Sequence, residues 1–208
     1  HPGSWINYQS NMQKNKYDLV FDGPHFVSWR IAKTKHTPLV KIPGDFIFVF
    51  LTKKDNKKVT GLEKLAGRSV CGHAPPNQGT LRLYNAFPNP SRQPVLKPVK
   101  GWRNIYKAMI AGKCDGAVVP LKIYKKLDPK GTAARVLLIT DAAPGQAFTA
   151  SAEIPSDVRL KIAEMLINPS GQIATQKLRT RFRAKSLIKA TPQEYADAKV
   201  LLKDSWGF

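Results

Sequence analysis

Two loops carry the residue types that hold anions. The first, Gly72-His73-Ala74-Pro75-Pro76-Asn77-Gln78-Gly79-Thr80, follows an apolar stretch at 68–72 and runs into a helical pattern at 78–87. The first N–H groups of a helix have no carbonyl one turn earlier to bond, and the helix dipole adds partial positive charge there. Such a start attracts an anion. Asn77 and Thr80 would add side-chain donors, although Asn77 is equally suited to capping the helix. The loop lacks the Gly-Lys-Ser/Thr of a nucleotide phosphate loop and the Gly-x-Gly-x-x-Gly dinucleotide fingerprint. The second loop, Asp22-Gly23-Pro24-His25-Phe26, follows a strand pattern at 17–21. His25 there could donate to an anion or cap local backbone. A third strand end, Pro120-Leu121, offers no polar side chain.

Catalytic and metal chemistry find little support. The chain has no Gly-x-Ser-x-Gly elbow and no His-Glu-x-x-His pair. Cys71 and His73 would share a strand face, but a lone cysteine in a strand is more often a small buried apolar residue than a nucleophile. No His, Cys, Asp and Glu residues stand at zinc-ligand spacing. The expectation is no catalytic residue, no metal and no cofactor. Cys71 and Cys114, the two cysteines, could pair in an oxidising compartment. They fall toward opposite ends of neighbouring strands, which weighs against a bond because Cα atoms beyond about 7 Å cannot bridge. Phe26, Trp29, Trp102 and Tyr106 could stack on bases. Their three- and four-residue spacings fit helix faces packed on sheets better, and Trp102, opening a helix at a strand end, could also line a cleft.

These loops must be positioned by an alternating α/β chain. Its 208 residues suit one large domain or two small lobes, and 42% apolar composition can bury a core. The longest apolar run, Phe46 to Leu51, is strand-length, so no helix spans a membrane, while attachment to one stays open. Strands at 17–21, 38–42, 46–52, 68–72, 94–99, 115–119, 135–140 and 146–151 alternate with helices at 24–31, 61–66, 78–87 and 102–112, the signature of parallel βαβ units. From Ser156 the pattern is helical, with Thr191 and Glu194 spaced as a capping box and the tail Ser205-Trp206-Gly207-Phe208 expected to pack. Crossovers near 46–53 and 140–150 divide the chain into lobe I, 1–50 and 145–208, and lobe II, 51–144. The fold class expected is α/β with two lobes, each a mainly parallel sheet flanked by helices.

Charge speaks about partners. Thirty-four basic against 14 acidic side chains give +20, and residues 51–144 hold 18 basic against 5 acidic. Nucleic acid, an anionic membrane surface and an anionic ligand compete as readings. Twenty-four of the cations are lysine and ten arginine, which suits a solvated field better than base recognition. The opening His1-Pro2-Gly3-Ser4 has no signal-peptide order, so the expectation is a cytoplasmic chain or a trimmed export product.

Four segments, taken in order, carry a family resemblance. Tyr17-Asp18-Leu19-Val20-Phe21-Asp22-Gly23-Pro24-His25-Phe26, Leu62-Glu63-Lys64-Leu65-Ala66-Gly67-Arg68-Ser69-Val70, Ala111-Gly112-Lys113-Cys114-Asp115-Gly116-Ala117-Val118 and Gln146-Ala147-Phe148-Thr149 cover essentially the whole chain. Their sequence resembles phosphate/phosphite/phosphonate-type ABC transporter substrate-binding proteins, without the strand, helix and strand that usually open that family. The resemblance implies a type II periplasmic-binding fold whose lobes close by hinge motion on a ligand in the cleft between them. It implies a non-enzymatic importer component that captures a small anion such as phosphate, phosphite or a phosphonate. Gly23, His25 and Phe26 from lobe I and Asn77, Gln78, Gly79 and Thr80 from lobe II would line the site, with Trp102 and Gln146 as neighbours. At the anion-binding helix start the family is Ser/Thr-rich, whereas here only Thr80 follows that pattern; Phe26 stands where a Tyr hydroxyl is usual. The implied partners are the anion and an inner-membrane permease, with no specific nucleic acid; the implied state is a periplasmic monomer. The same fold could instead serve as an extracytoplasmic sensing module, and the +20 charge keeps nucleic-acid binding as a third reading.

Overall fold

The computed structural model describes residues 4–196 and 198–202. The chain divides into two compact units: one runs to Asp45 and resumes at Ala143, and the other is Phe46–Ala142.

The first unit opens with α1, Trp5–Gln13, whose Ser4 hydroxyl caps the Asn7 N–H and whose Tyr8 and Met12, four apart, turn inward. Strand β1, Leu19–Asp22, leads through Gly23 to α2, Pro24–Thr34, with Pro24 in the first helical position that its fixed φ suits. Lys35, at φ 58°, ends that helix, and β2, Thr37–Lys41, follows.

The second unit contains β3, Phe48–Lys53; a 3-10 turn at Leu62–Leu65; β4, Ser69–Gly72; α3, Gln78–Asn85; β5, Val95–Pro98; α4, Trp102–Ile110; β6, Gly116–Pro120; α5, Leu121–Leu127; and β7, Ala134–Ile139. The chain then re-enters the first unit as β8, Ala147–Ala150; α6, Ser156–Ile167; α7, Pro169–Ala174; α8, Gln176–Phe182; and β9, Ile188–Lys189. Short 3-10 turns at Gln193–Tyr195 and Ala198–Leu202 complete the described chain. Among the described residues no helix is long and apolar enough to cross a membrane.

The sheets depart from the mainly parallel expectation. The first has the order β1-β8-β2-β9 with every neighbouring pair antiparallel. The second has the order β5-β4-β6-β3-β7, parallel across β5-β4-β6 and antiparallel across β6-β3-β7. The reason is the same in both. β1-α2-β2 is a strand-helix-strand unit with its two strands running the same way, but β8 returns from the other unit and inserts between them in the opposite sense. In the second sheet β3 is the inserted strand, lying between β6 and β7. Alternation along a sequence reports the βαβ unit and is blind to such an insertion.

Cys71 and Cys114 are bonded, with Cα atoms 5.7 Å apart, against the expectation that they lie too far apart. Cys71 pairs in register with Ala117 on β6, but Cys114 is not part of that strand. The chain reverses after α4 through Gly112, at φ 73°, which folds Cys114 onto the helix-covered face of the sheet. There it packs with Cys71, Ile105 and Met109 in the core formed by α4, α5 and the sheet. The opposite face of the sheet carries Phe48, Phe50, Val70 and Val118 against Leu83 and Phe87. In the first unit Leu39, Val40, Ile42, Ala150 and Leu187 form the core under α6. Near the end of the chain the Glu194 carboxylate accepts from the Thr191 N–H at 2.8 Å and pairs with Lys41. That is half of the expected capping box, here on a 3-10 turn. Trp206 and Phe208 lie outside the described residues.

Candidate functional site

In the second unit the site is built at the carboxyl end of β4. Gly72 ends the strand, His73 follows, and after the cis Pro75–Pro76 bond the chain enters α3 at Asn77. The start of α3 lies against the Phe48 ring so closely that a Cβ on Gly79 would sit 2.6 Å from a ring carbon; only glycine permits this approach. The His73 ring stands edge-on to Trp102, 4.2 Å between centroids, and Trp102 in turn meets Phe48 at 5.9 Å. Asn77, Gln78, Gly79, Thr80 and Trp102 are thus gathered at one end of this unit, around His73 and Phe48.

Their roles separate on hydrogen bonding. The Asn77 side chain accepts from the Gly79 N–H at 3.0 Å, so it caps the helix. The Thr80 hydroxyl donates to the His73 carbonyl at 2.5 Å and fixes the loop. Gln78 differs: it is 3% exposed, and neither its amide nitrogen nor its amide oxygen has a hydrogen-bond partner among the described residues. A buried amide without partners costs about 1–3 kcal/mol. One turn on, the Arg82 Nε is also buried without a partner, and burial lowers that guanidinium's pKa. Burial likewise pulls the His73 imidazole below its usual range, which keeps it a neutral ring at pH 7. Chemically the arrangement offers neutral and cationic donors at a helix start, with an aromatic wall; the Asp141 carboxylate partly offsets the effect of burial on Arg82.

In the first unit Gly23, His25 and Phe26 form the β1–α2 turn. His25 and Phe26 are 5% and 4% exposed, and their rings lie 4.2 Å apart. Phe26 also packs on Trp5 and Tyr8. The pairing of Asp22 with Ala147 places Gln146, just before β8, at the same end of the sheet as Gly23. The Gln146 carbonyl accepts from the Ile42 N–H at 2.8 Å, and the buried Tyr195 hydroxyl donates to the Gly145 carbonyl at 2.8 Å.

Behind the turn lies a buried charge cluster that the sequence reading did not single out. Arg30 is fully buried, and its Nε donates to Asp22 Oδ2 at 2.8 Å. The Tyr8 hydroxyl donates to the other Asp22 oxygen and accepts from Arg30 at 3.1 Å. The guanidinium sits over the Tyr8 and Tyr17 rings, at 5.7 and 5.3 Å. Its signal was an aspartate ending a strand with an arginine eight residues on, at the inward spacing of the next helix. The cluster fixes the strand end from which Gly23 and His25 project.

A family model described as the periplasmic substrate-binding protein of phosphonate ABC transporters matches residues 3–195. No curated protein matches the chain in sequence. Among solved structures, XAC2383 from Xanthomonas citri bound to ATP superposes with a TM-score of 0.73 at 12% identity, over 97% of this chain and 84% of that one. PhnD1 from Prochlorococcus marinus in complex with methylphosphonate gives 0.62 at 16% identity, over 96% and 82%. A binding-protein component of an ABC phosphonate transporter from Pseudomonas aeruginosa gives 0.59 at 10% identity, over 92% and 70%. At these identities the structural likeness speaks for the fold, that of type II periplasmic binding proteins.

Proposed function

Because the chain belongs to the phosphonate family of ABC-transporter periplasmic substrate-binding proteins, we propose that it captures a small phosphorus oxyanion at the start of α3 for delivery to an inner-membrane permease. Proteins of this family bind and do not catalyse. The observation that carries the anion assignment is Gln78, a primary amide buried beside a helix N-terminus with both polar atoms unpartnered among the described residues. A bound oxyanion supplies acceptors to the amide N–H donors and to the first-turn backbone N–H groups other than that of Gly79, which Asn77 caps, and the helix dipole favours its charge. The capping by Asn77 and the Thr80 bond hold that turn in place, while Trp102 and His73 form its wall. The β1–α2 turn, with Gly23, His25 and Phe26, and Gln146 at the same sheet end are proposed as the first unit's own candidate ligand contacts. Two relatives of the same fold support the class, since the ligands in their structures, ATP and methylphosphonate, both carry tetrahedral phosphorus oxyanions.

The proposed setting is the periplasm, with the protein acting as a monomer. The buried Cys71–Cys114 bond supports an oxidising compartment. Calorimetric titration with phosphate, phosphite and methylphosphonate tests the class; heat from none of the three removes it. Gln78→Leu tests the residue. Losing a hydrogen bond to a charged group costs about 1.5–3 kcal/mol, so affinity is expected to fall at least roughly tenfold. The fold should be retained, because no hydrogen bond of the Gln78 side chain among the described residues is lost. An unchanged dissociation constant in Gln78→Leu would remove the amide from the site.

A further inference from the structure

The face of the second unit covered by α4 and α5 is a charged surface that anion capture does not use. Residues 97–130 contain nine Lys and Arg, eight of them lysine, and every one is exposed. The same stretch contains two carboxylates, and neither is available to neutralise them. Asp128 is buried and accepts the N–H groups of Thr132, Ala133 and Ala134. Asp115 accepts both the N–H and the hydroxyl of Ser69. None of the nine cations is in an ion pair among the described residues.

The placement concentrates this charge. α4 and α5 pack their inward residues, Ile105, Tyr106, Met109 and Tyr124, into one core on one face of the sheet. Their outward residues include Arg103, Lys107, Lys122, Lys125 and Lys126. Lys97, in register with Cys71 on the neighbouring parallel strand, projects to that same face and donates to the Lys113 carbonyl at 3.0 Å. On the opposite face α3 brings only Arg82.

We propose that the α4–α5 face is a docking surface for an anionic lipid bilayer. Lysine predominates, and an ammonium is a point charge suited to a fluid layer of headgroups, whereas phosphate forks and base edges favour arginine. The aromatic residues of this stretch, Trp102, Tyr106 and Tyr124, are turned at least partly inward, so the face offers no stacking platform for bases. It equally offers no apolar wedge, so contact is electrostatic and superficial. Each Lys or Arg near an anionic membrane contributes about tenfold or less to partitioning, and the attraction fades over a Debye length of about 10 Å at 0.1 M salt. Such contact is independent of which anion α3 captures. It would hold the loaded protein in a thin layer along the bilayer.

The test is co-sedimentation with sucrose-loaded vesicles at about 0.1 M salt, comparing phosphatidylcholine alone with a mixture of about one-third phosphatidylglycerol. The full chain is expected to bind the mixed vesicles and not the neutral ones. Lys122→Gln/Lys125→Gln/Lys126→Gln should reduce partitioning roughly a hundredfold. The control Lys14→Gln/Lys16→Gln/Lys33→Gln removes the same charge from exposed positions on the first unit and should lose less than roughly threefold. Matching circular dichroism spectra and melting curves verify that both variants fold. Equal losses in the two variants would assign the effect to net charge and overturn the docking face. Equal binding to neutral vesicles overturns it also, as does a random-sequence DNA duplex that binds more tightly than the vesicles at the same salt and displaces them.

Discussion

Replacing Cys71 and Cys114 with alanine releases a loop that the bond closes across a separation of 43 residues. In the chain-entropy account, closing a loop of that length removes about 13 cal/mol/K from the unfolded ensemble, which is about 4 kcal/mol at 25 °C. The loop holds His73, all of α3, β5 and α4 with Trp102, so the loss falls on the second unit and on the candidate anion site together. Urea unfolding measures it, with Trp5, Trp29 and Trp206 changed to phenylalanine so that Trp102 alone reports. With a urea dependence of about 2 kcal/mol/M, the Trp102 midpoint should fall by roughly 2 M. Wild-type protein unfolded under a phosphine reductant should show the same loss without substitution. A loss below about 1 kcal/mol in both arms would mean that this bond constrains little of the unfolded chain, and the loop argument would fail.

Arg30→Met strands the buried Asp22 carboxylate without its counter-charge, and the expected cost is about 3–5 kcal/mol of unfolding free energy. The double variant Asp22→Asn/Arg30→Met should regain much of that in thermal denaturation; no recovery would mean the pair is not the cause. His36 gives a pH signature. Burial first, and the nearby Arg30 charge second, push its pKa down to about 4 from 6.5. The unfolded state therefore binds the proton more readily between those values. The stabilisation is complete above pH 6.5 and is lost as pH falls toward 4, on the order of 3 kcal/mol in all. The ring donates from Nε2 to the Asn15 side-chain oxygen at 2.9 Å and accepts at Nδ1 from the Thr149 hydroxyl at 3.1 Å. His36→Gln should flatten the stability profile over that window, and an unaltered profile would assign the pH dependence elsewhere.

Local pattern disclosed most of the elements. Pro24 opening α2 and the apolar β3 stand where residue type and period place them. α5 escaped because Leu121–Leu127 starts directly on the last strand residue, Pro120, with no loop to mark the change of period. The insertions of β8 and β3 escaped because strand order is decided by contacts far apart in sequence. The Cys71–Cys114 bond escaped because its geometry rests on the reversal at Gly112, outside either strand. Around the site, the helix start at Asn77 was legible from Asn followed by Gln-Gly-Thr, including the possibility that Asn77 merely caps. That Gln78 would be the side chain left without partners was not legible, since it depends on how α3 lies against Phe48. The Asp22–Arg30–Tyr8 cluster joins three elements, and an eight-residue spacing alone does not announce it.

The position of β8 sets an order on synthesis. Phe46–Ala142 is one uninterrupted stretch and holds every strand of its own sheet, so it can complete itself as soon as it leaves the ribosome. β1 and β2 emerge before it, yet they have no direct pairing with each other; their shared neighbour arrives about a hundred residues later. These two strands therefore settle only after a later segment has been made. Until Ala147–Ala150 appears, the nascent chain exposes two unpaired strand edges, which are the natural targets for a holding chaperone.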